Sequence, residues 1–492
     1  MKLNNPFLTG LSHLLCGRSK TKVQAVLARE RQALIEGGPD VQQQFLEEVP
    51  PELLELHSAT QRVRSYPDPL TFWAFFTQVS SDDASCAGAV ALVQSWARGR
   101  NLPVPSGGTS SYCEARAKLP EGMLRAVNAS LYQQLEAHLP SRWEWRGLRP
   151  KAEDGTSAQM PDTDANRAAY PYPSGQSDGC GFPMIRLGGL VDLSHGGVCD
   201  FAHSDMQTGE LRGHDQLEAE HLGEGDLLIA DRLFSTYEVV ARLVGKGVNF
   251  VGRNHQARKV DFRRGRKIGR DERLVTWIRP RQRPAGCRLS REEWDALPDE
   301  MEMRLIRCKG PDRRGKQKVR YVVTTLLDAG GYPAGEVASL YYHRWEIEVR
   351  FRDIKTTLGM EMLRTRSPEM VRKEVLMHMI VYNLMRLVML KAGIAHGVNH
   401  RRLSFRGTQQ VIHASRGDFR DVASRPVVRQ RHANNMRERL AERYVKERPG
   451  RNEPRRVKRR PKNTRWLQRP RHEYFEHFRS DDPPLKILDN PA

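Results

Sequence analysis

Four residues, Tyr341, Arg344, Glu348 and Lys355, stand in the spacing Tyr-x2-Arg-x3-Glu-x6-Lys. The stretch that holds them, Tyr-Tyr-His-Arg-Trp-Glu-Ile-Glu-Val-Arg-Phe-Arg-Asp-Ile-Lys, lacks Pro and Gly and predicts one continuous helix. On that helix Tyr341, Arg344, Glu348, Arg352 and Lys355 recur every three or four residues and share a face. Trp345, Ile347, Val349, Phe351 and Ile354 supply apolar surface on the other sides. One carboxylate then stands in a row of four groups suited to gripping phosphate. Such an acid can hold a divalent metal while its neighbours hold a nucleic-acid backbone. A plainer reading is a solvated helix with ion pairs from Arg344 to Glu348 and from Glu348 to Arg352. Glu346 points to nearly the opposite side and cannot join the row.

The elements upstream offer two further acids. Asp226 to Ala230 is a short buried-strand run that gives way to Asp231-Arg232. Catalytic groups of open α/β sheets collect at such carboxyl ends, although an aspartate there also serves as a helix N-cap. Asp154 lies in Glu153-Asp154-Gly155-Thr156-Ser157, with Met160-Pro161-Asp162-Thr163 close behind. Asp-Gly alone is a turn signal. The residues before it, Leu148 to Glu153, are polar and include a proline, which makes a poor central strand. Beyond them the pattern is regular. Phe182 to Leu193 and Val198 to Ala202 read as strands about a Gly196-Gly197 turn, and Leu211 to Leu222 as a helix. Ser235 to Lys246 reads as a helix and Val248 to Gly252 as a strand.

The whole chain narrows the class. Its 492 residues allow two to four domains, and 80 Lys and Arg against 59 Asp and Glu give a net charge of +21. That balance favours a polyanionic partner, nucleic acid first. A mean hydropathy of −0.63 argues against an integral membrane protein. The greasiest run, Val375 to Leu390, contains His378, Asn383 and Arg386 and reads as a buried core helix. Seven scattered cysteines without a Cys-x-x-Cys pair fit reduced thiols and argue against a zinc site. No signal-peptide pattern opens the chain, so a cytoplasmic location, nucleoid-associated when on DNA, is expected.

Taken as a set, these motifs resemble bacterial DDE-type insertion-sequence transposases of the cut-and-paste group. The likeness rests on the Tyr341-Arg344-Glu348-Lys355 row, on Asp154-Gly155-Thr156 followed by Pro161-Asp162, and on Asp231-Arg232. Tyr112-Cys113-Glu114-Ala115-Arg116 adds a weak further match, and the resemblance covers roughly Glu153 to Lys391. It implies that Asp154, at the end of the first core strand, Asp231 and Glu348 are catalytic and bind two Mg²⁺ ions, or Mn²⁺. Such ions activate a water or 3′-hydroxyl and steady the leaving oxygen. It implies that Tyr341, Arg344, Lys355 and Arg232 contact DNA. A β-rich insertion ahead of the glutamate carries a tryptophan that can receive a flipped base, for which Trp277 is the candidate; a buried core tryptophan is the competing reading. Partners implied are double-stranded DNA, as transposon ends and target, and a second copy in a homodimer on that DNA. The activity implied is cleavage and strand transfer. Its rivals are a noncatalytic DNA-binding descendant of a transposase and a nuclease of the same fold.

The expected organisation is an α/β fold in three parts. Residues 1–145 form a helical DNA-binding domain. Residues 146–395 form a ribonuclease-H-like catalytic core, with the β-rich insertion at about 254–330. Residues 396–492 form a basic, partly disordered C-terminal region. From residue 401 onward 25 Lys and Arg face 11 Asp and Glu, so +14 of the +21 falls there, densest at Arg451 to Arg471.

Overall fold

The computed structural model describes residues 40–446, apart from 58–64, 141–143, 178, 208–213, 285, 288, 312–316, 421 and 423–424, together with Pro470. Nine strands are present among the described residues: β1 (Arg149–Gln159), β2 (Met184–Asp192), β3 (Val198–Asp205), β4 (Asp226–Ala230), β5 (Asn249–Arg253), β6 (Arg266–Gly269), β7 (Glu272–Ile278), β8 (Glu300–Pro311) and β9 (Gln317–Thr324). They make one mixed sheet in the order β3-β2-β1-β4-β5-β9-β8-β7-β6. β1, β4 and β5 run parallel and the other pairings are antiparallel. The stretch expected as a β-rich insertion therefore extends the core sheet through β5 and β9.

β1, the element least legible from sequence, is an eleven-residue central strand paired on both sides. Its polar residues are accommodated by partners. The buried ammonium of Lys151 lies 3.1 Å from Asp226 and donates to the His221 carbonyl. Pro150 has no N–H to offer, but its carbonyl accepts from Leu193 N at 2.8 Å. Asp154 is not at the end of this strand as expected. The parallel ladder with β4 stops at Glu153, while the hairpin with β2 carries β1 on to Gln159.

The described helices are α1 (Asp40–Gln44), α2 (Pro51–Leu56), α3 (Asp68–Ser80), α4 (Cys86–Gly99), α5 (Ser110–Lys118), α6 (Glu121–His138), α7 (Asp164–Ala169), α8 (His214–His221), α9 (Tyr237–Gly245), α10 (Arg291–Asp295), α11 (Ala334–Tyr342), α12 (Trp345–Arg352), α13 (Pro368–Ala395), α14 (Phe405–Ser415) and α15 (Pro426–Ala441). α13 is the axis of the helical layer. α3, α6, α14 and α15 all pack on it. Its composition is apolar enough to cross a membrane, yet the window concerned is 94% buried in protein. Its polar interruptions are satisfied inside. Asn383 donates to Asn128 Oδ1 and to the Val198 carbonyl, and Arg386 donates to the His195 carbonyl. That last contact holds the β2–β3 turn, where Gly196 takes φ +75° and a Cβ would stand 2.6 Å from the Arg386 guanidinium.

One core runs from Val41 through β1 and α13 to Leu440, so the N-terminal helices and α14–α15 share it with the sheet. α3 is buried on twelve of its thirteen residues because neighbours cover it on several sides. The region after 396 is ordered through α15, with Leu403, Phe405, Ile412, Phe419 and Leu440 in the core. The dense basic stretch Arg451 to Arg471 lies outside the described residues except for Pro470.

The Tyr341–Lys355 stretch departs from the single helix expected of it. α11 ends at Tyr342, His343 and Arg344 form a tight turn, and α12 begins at Trp345. Both turn residues keep right-handed helical angles, but the hydrogen bonds there step i to i+3, as in Arg344 N to the Tyr341 carbonyl and Ile347 N to the Arg344 carbonyl. After Arg352 the chain widens into a π-helical turn, Asp353–Thr357, that carries Lys355. Neither feature needs a Pro or Gly, which is why residue composition did not signal it.

Candidate active site

The sheet brings two acids side by side. Glu153 pairs with Ala230 as the last register pair of parallel β1 and β4, so Asp154 and Asp231 follow at the same level. Neighbouring strands stand about 4.8 Å apart. Asp231 also accepts from Arg232 N at 2.6 Å and caps the one-turn helix Arg232–Phe234, so its capping reading is realised too.

α12 brings the third acid. Arg344, in the turn before it, places Nη1 2.7 Å from Asp154 Oδ2 and Nη2 3.5 Å from Glu348 Oε1. Of the two ion pairs in the plainer reading, the one from Arg344 to Glu348 is thus present. Glycine makes room for this packing. Gly189 is the β2 partner of Asp154, and a Cβ there would lie 2.5 Å from Phe201 and 2.8 Å from Phe351 of α12. The two rings, 5.9 Å apart, seat α12 over the hairpin.

Electrostatics tie the group together. Burial raises the Asp154 carboxyl above its ordinary range; Asp231 and Glu348 push the same way as like charges, while Arg344 and the Gly155 N–H oppose. Burial works against the charge of Arg344, but Asp154, Tyr341, Asp231 and Glu348 outweigh it. Burial also raises the Tyr341 phenol, with Arg344 opposing and Asp231 adding to the rise. The structure therefore gathers Asp154, Asp231, Glu348, Arg344 and Tyr341 into one neighbourhood. Lys355 is partly exposed on the π-helical turn, Arg232 is partly exposed beside Asp231, and Arg352 is exposed.

Glu346 faces away, as its spacing required. Burial would raise its carboxyl, yet His343, Arg401 and Arg350 hold it down at about 2. His343 Nδ1 lies 2.8 Å and Arg350 Nη2 3.4 Å from it, and Arg401 reaches it from the segment after α13. This network fastens the turn between α11 and α12, and no spacing in the chain signalled Arg401's part in it.

Trp277 does not present an open face. It is 5% exposed, lies in the core cluster formed with α9 and β8, and has the Arg258 guanidinium 3.2 Å from its ring centroid. The buried-core reading describes its environment. The sequence reading also passed over Arg253, which ends β5, and His255 and Arg258, which follow it. The carboxyl-end rule that singled out Asp231 would have found them if applied one strand further on.

The donor set suits a hard cation. Three carboxylates offer oxygen ligands in one neighbourhood, as Mg²⁺ and Ca²⁺ prefer, and Arg344 occupies the cationic position among them. Elsewhere, Asp200 on β3 and Glu220 and His221 on α8 bring ligand atoms within 4.8 Å of one another; Asp200 also pairs with Arg125 at 3.5 Å.

Residues 148–384 match the family described as "Transposase DDE domain". The chain is also similar to the transposase InsG for insertion sequence element IS4 of Escherichia coli (strain K12), 29% identical over 293 residues. That match takes in 57% of this chain and 61% of the relative's length.

Proposed function

We propose that the protein is a DNA transposase that cuts at the ends of its element and joins them to target DNA in a divalent-metal-dependent reaction. The observation that carries this reading is the Arg344 bridge, which draws Asp154 and Glu348 together beside Asp231. In this reading the core is ribonuclease-H-like, and Asp154, Asp231 and Glu348 hold Mg²⁺ or Mn²⁺. Bound metal supplies charge stabilisation and an activated oxygen nucleophile. The chain's own residues do the rest. Arg344, Lys355 and Arg232 grip the DNA backbone by charge, and Tyr341 grips it by hydrogen bonding. The mixed sheet and α12 keep the acids in register while DNA enters. The described N-terminal helices assist end binding, and a second copy completes the assembly on paired ends.

The test is a labelled duplex carrying the element's terminal repeats, incubated with Mg²⁺ and wild-type protein or Glu348→Ala. Cutting and joining by wild type, and neither by a variant that still binds, supports the assignment. Equal cutting by both proteins overturns the site. Cutting without joining favours a nuclease, and binding without cutting favours a noncatalytic DNA-binding protein.

A further inference from the structure

The chain leaves β5 beside the acids. Gly252 pairs in parallel with Ala230, so Arg253 follows at the level of Asp231. From there Arg253, His255 and Arg258 come in quick succession. Burial lowers the His255 imidazole below its ordinary range, and the positive charges of Arg258 and Arg232 add to that effect. Arg253 acts on Tyr341 in the same way a nearby cation must. A positive nook therefore borders the acidic site on its β5 side.

Arg258 is the unusual member. Its guanidinium carbon stands 3.2 Å from the Trp277 ring centroid, and its Nη1 is buried with no hydrogen-bond partner. Burial lowers it to about 10, and the one group acting in its favour is the phenol of Tyr237. Among the described residues no carboxylate pairs with it. A guanidinium held this way is costly, because a buried donor is left unmade and its charge is not neutralised. Stacking on the indole offsets part of that cost. A phosphate would offset the remainder, since the planar fork of arginine matches phosphate oxygens and its neighbours are of the same sign.

We propose that Arg258, braced against Trp277, binds a backbone phosphate of the DNA strand that passes Asp231. This rests on the DNA-processing reading above and differs from what the resemblance implies for Trp277. The indole is the support, and the guanidinium is the group that meets DNA.

The test uses the full chain and duplexes bearing the terminal repeats, read by anisotropy over a range of salt concentrations. Metal-dependent cutting by wild type is followed in parallel. Arg258→Gln is expected to bind roughly tenfold more weakly, with the salt slope reduced by about 1. Single neutral methylphosphonates are then scanned along the strand. At one position the substitution is expected to weaken wild type by the same factor and Arg258→Gln no further, which isolates the pair. Arg258→Lys, which keeps the charge, is expected to restore the slope but not the full affinity. An unchanged affinity and slope in Arg258→Gln, or a loss with no coupled position, overturns the proposal while wild-type cutting leaves the broader function standing. If wild type neither binds nor cuts these duplexes, both readings fall.

Discussion

The guanidinium of Arg344 lies 2.7 Å from Asp154 and 3.5 Å from Glu348, joining acids that enter from a central strand and from a helix far along the chain. Three carboxylates in one partly buried neighbourhood repel one another, and this side chain offsets much of that repulsion before any cation arrives. Arg344→Ala is therefore expected to lower the cutting rate by about 10²–10³-fold and to raise the metal concentration needed for half-maximal rate. Arg344→Lys is expected to recover little, because one ammonium cannot span both acids as a planar fork does. Single-turnover cutting across a Mg²⁺ titration checks both.

Neutralising one acid separates binding from chemistry. Asp154→Asn is expected to cut at least about 10³-fold more slowly while binding terminal-repeat DNA as well as wild type or better, since a like charge near the phosphates has gone. Parallel mobility-shift and cleavage assays measure the two quantities; a joint loss would point to misfolding instead.

The Glu346 network acts on the site without touching it. Glu346→Gln leaves Arg350 and Arg401 facing a neutral amide and is expected to destabilise the fold by about 1–3 kcal/mol. Because the network fastens the turn that aims Arg344, cutting is expected to fall as well. The Glu346→Gln/Arg401→Gln double variant should lose less than the sum of the singles, measured by urea unfolding.

Gly189→Ala tests the packing of α12. A methyl group at 2.5 Å from Phe201 and 2.8 Å from Phe351 must push a ring aside. Overpacking of this kind costs about 1–3 kcal/mol. The expected outcome is a lower melting temperature together with slower cutting, because Phe351 rides on the helix that carries Glu348. A variant with wild-type melting would show that α12 is not seated this way.

Buried histidines set a pH dependence of stability. Burial lowers the imidazoles of His195 and His378, and burial with Arg386 lowers His400 to about 2. In the unfolded chain such groups protonate near pH 6.5. Below that value the unfolded state binds more protons, so stability falls as pH falls, by up to about 1.4 kcal/mol per unit for each histidine. Above it their slope fades within about one pH unit. Urea midpoints at pH 7.5, 6.5 and 5.5 should fall a little across the first interval and about three times as much across the second; a rise toward pH 5.5 would contradict the assignment.

The site was more legible than its supports. The row of Tyr341, Arg344, Glu348 and Lys355 stands out because each type has a chemical use at a helical spacing, and Asp231 because an apolar strand ends on it. β1 was obscured by Lys151 and Pro150, whose partners Asp226 and Leu193 come from elsewhere in the chain. The turn at His343–Arg344 was invisible because both residues keep helical angles, and what fastens it is Arg401. α14 and α15 were hidden by composition. Arg406, Arg431 and Arg439 are exposed while Phe405, Ile412, Met436 and Leu440 reach the core.

The packing of α14 and α15 on α13 also bears on synthesis. A polypeptide halted just after Lys355 already contains Asp154, Asp231 and Glu348, yet it lacks α13 and everything that closes over that helix. The apolar faces of α3, α6 and the sheet then have no cover, and Arg401 is not there to hold Glu346. A ribosome that stalls or a message that is cut short therefore yields a fragment with all three acids but without the packing that assembles them. On the proposed function, cutting competence would arrive late, with the last described helices, and a half-made chain would leave DNA alone.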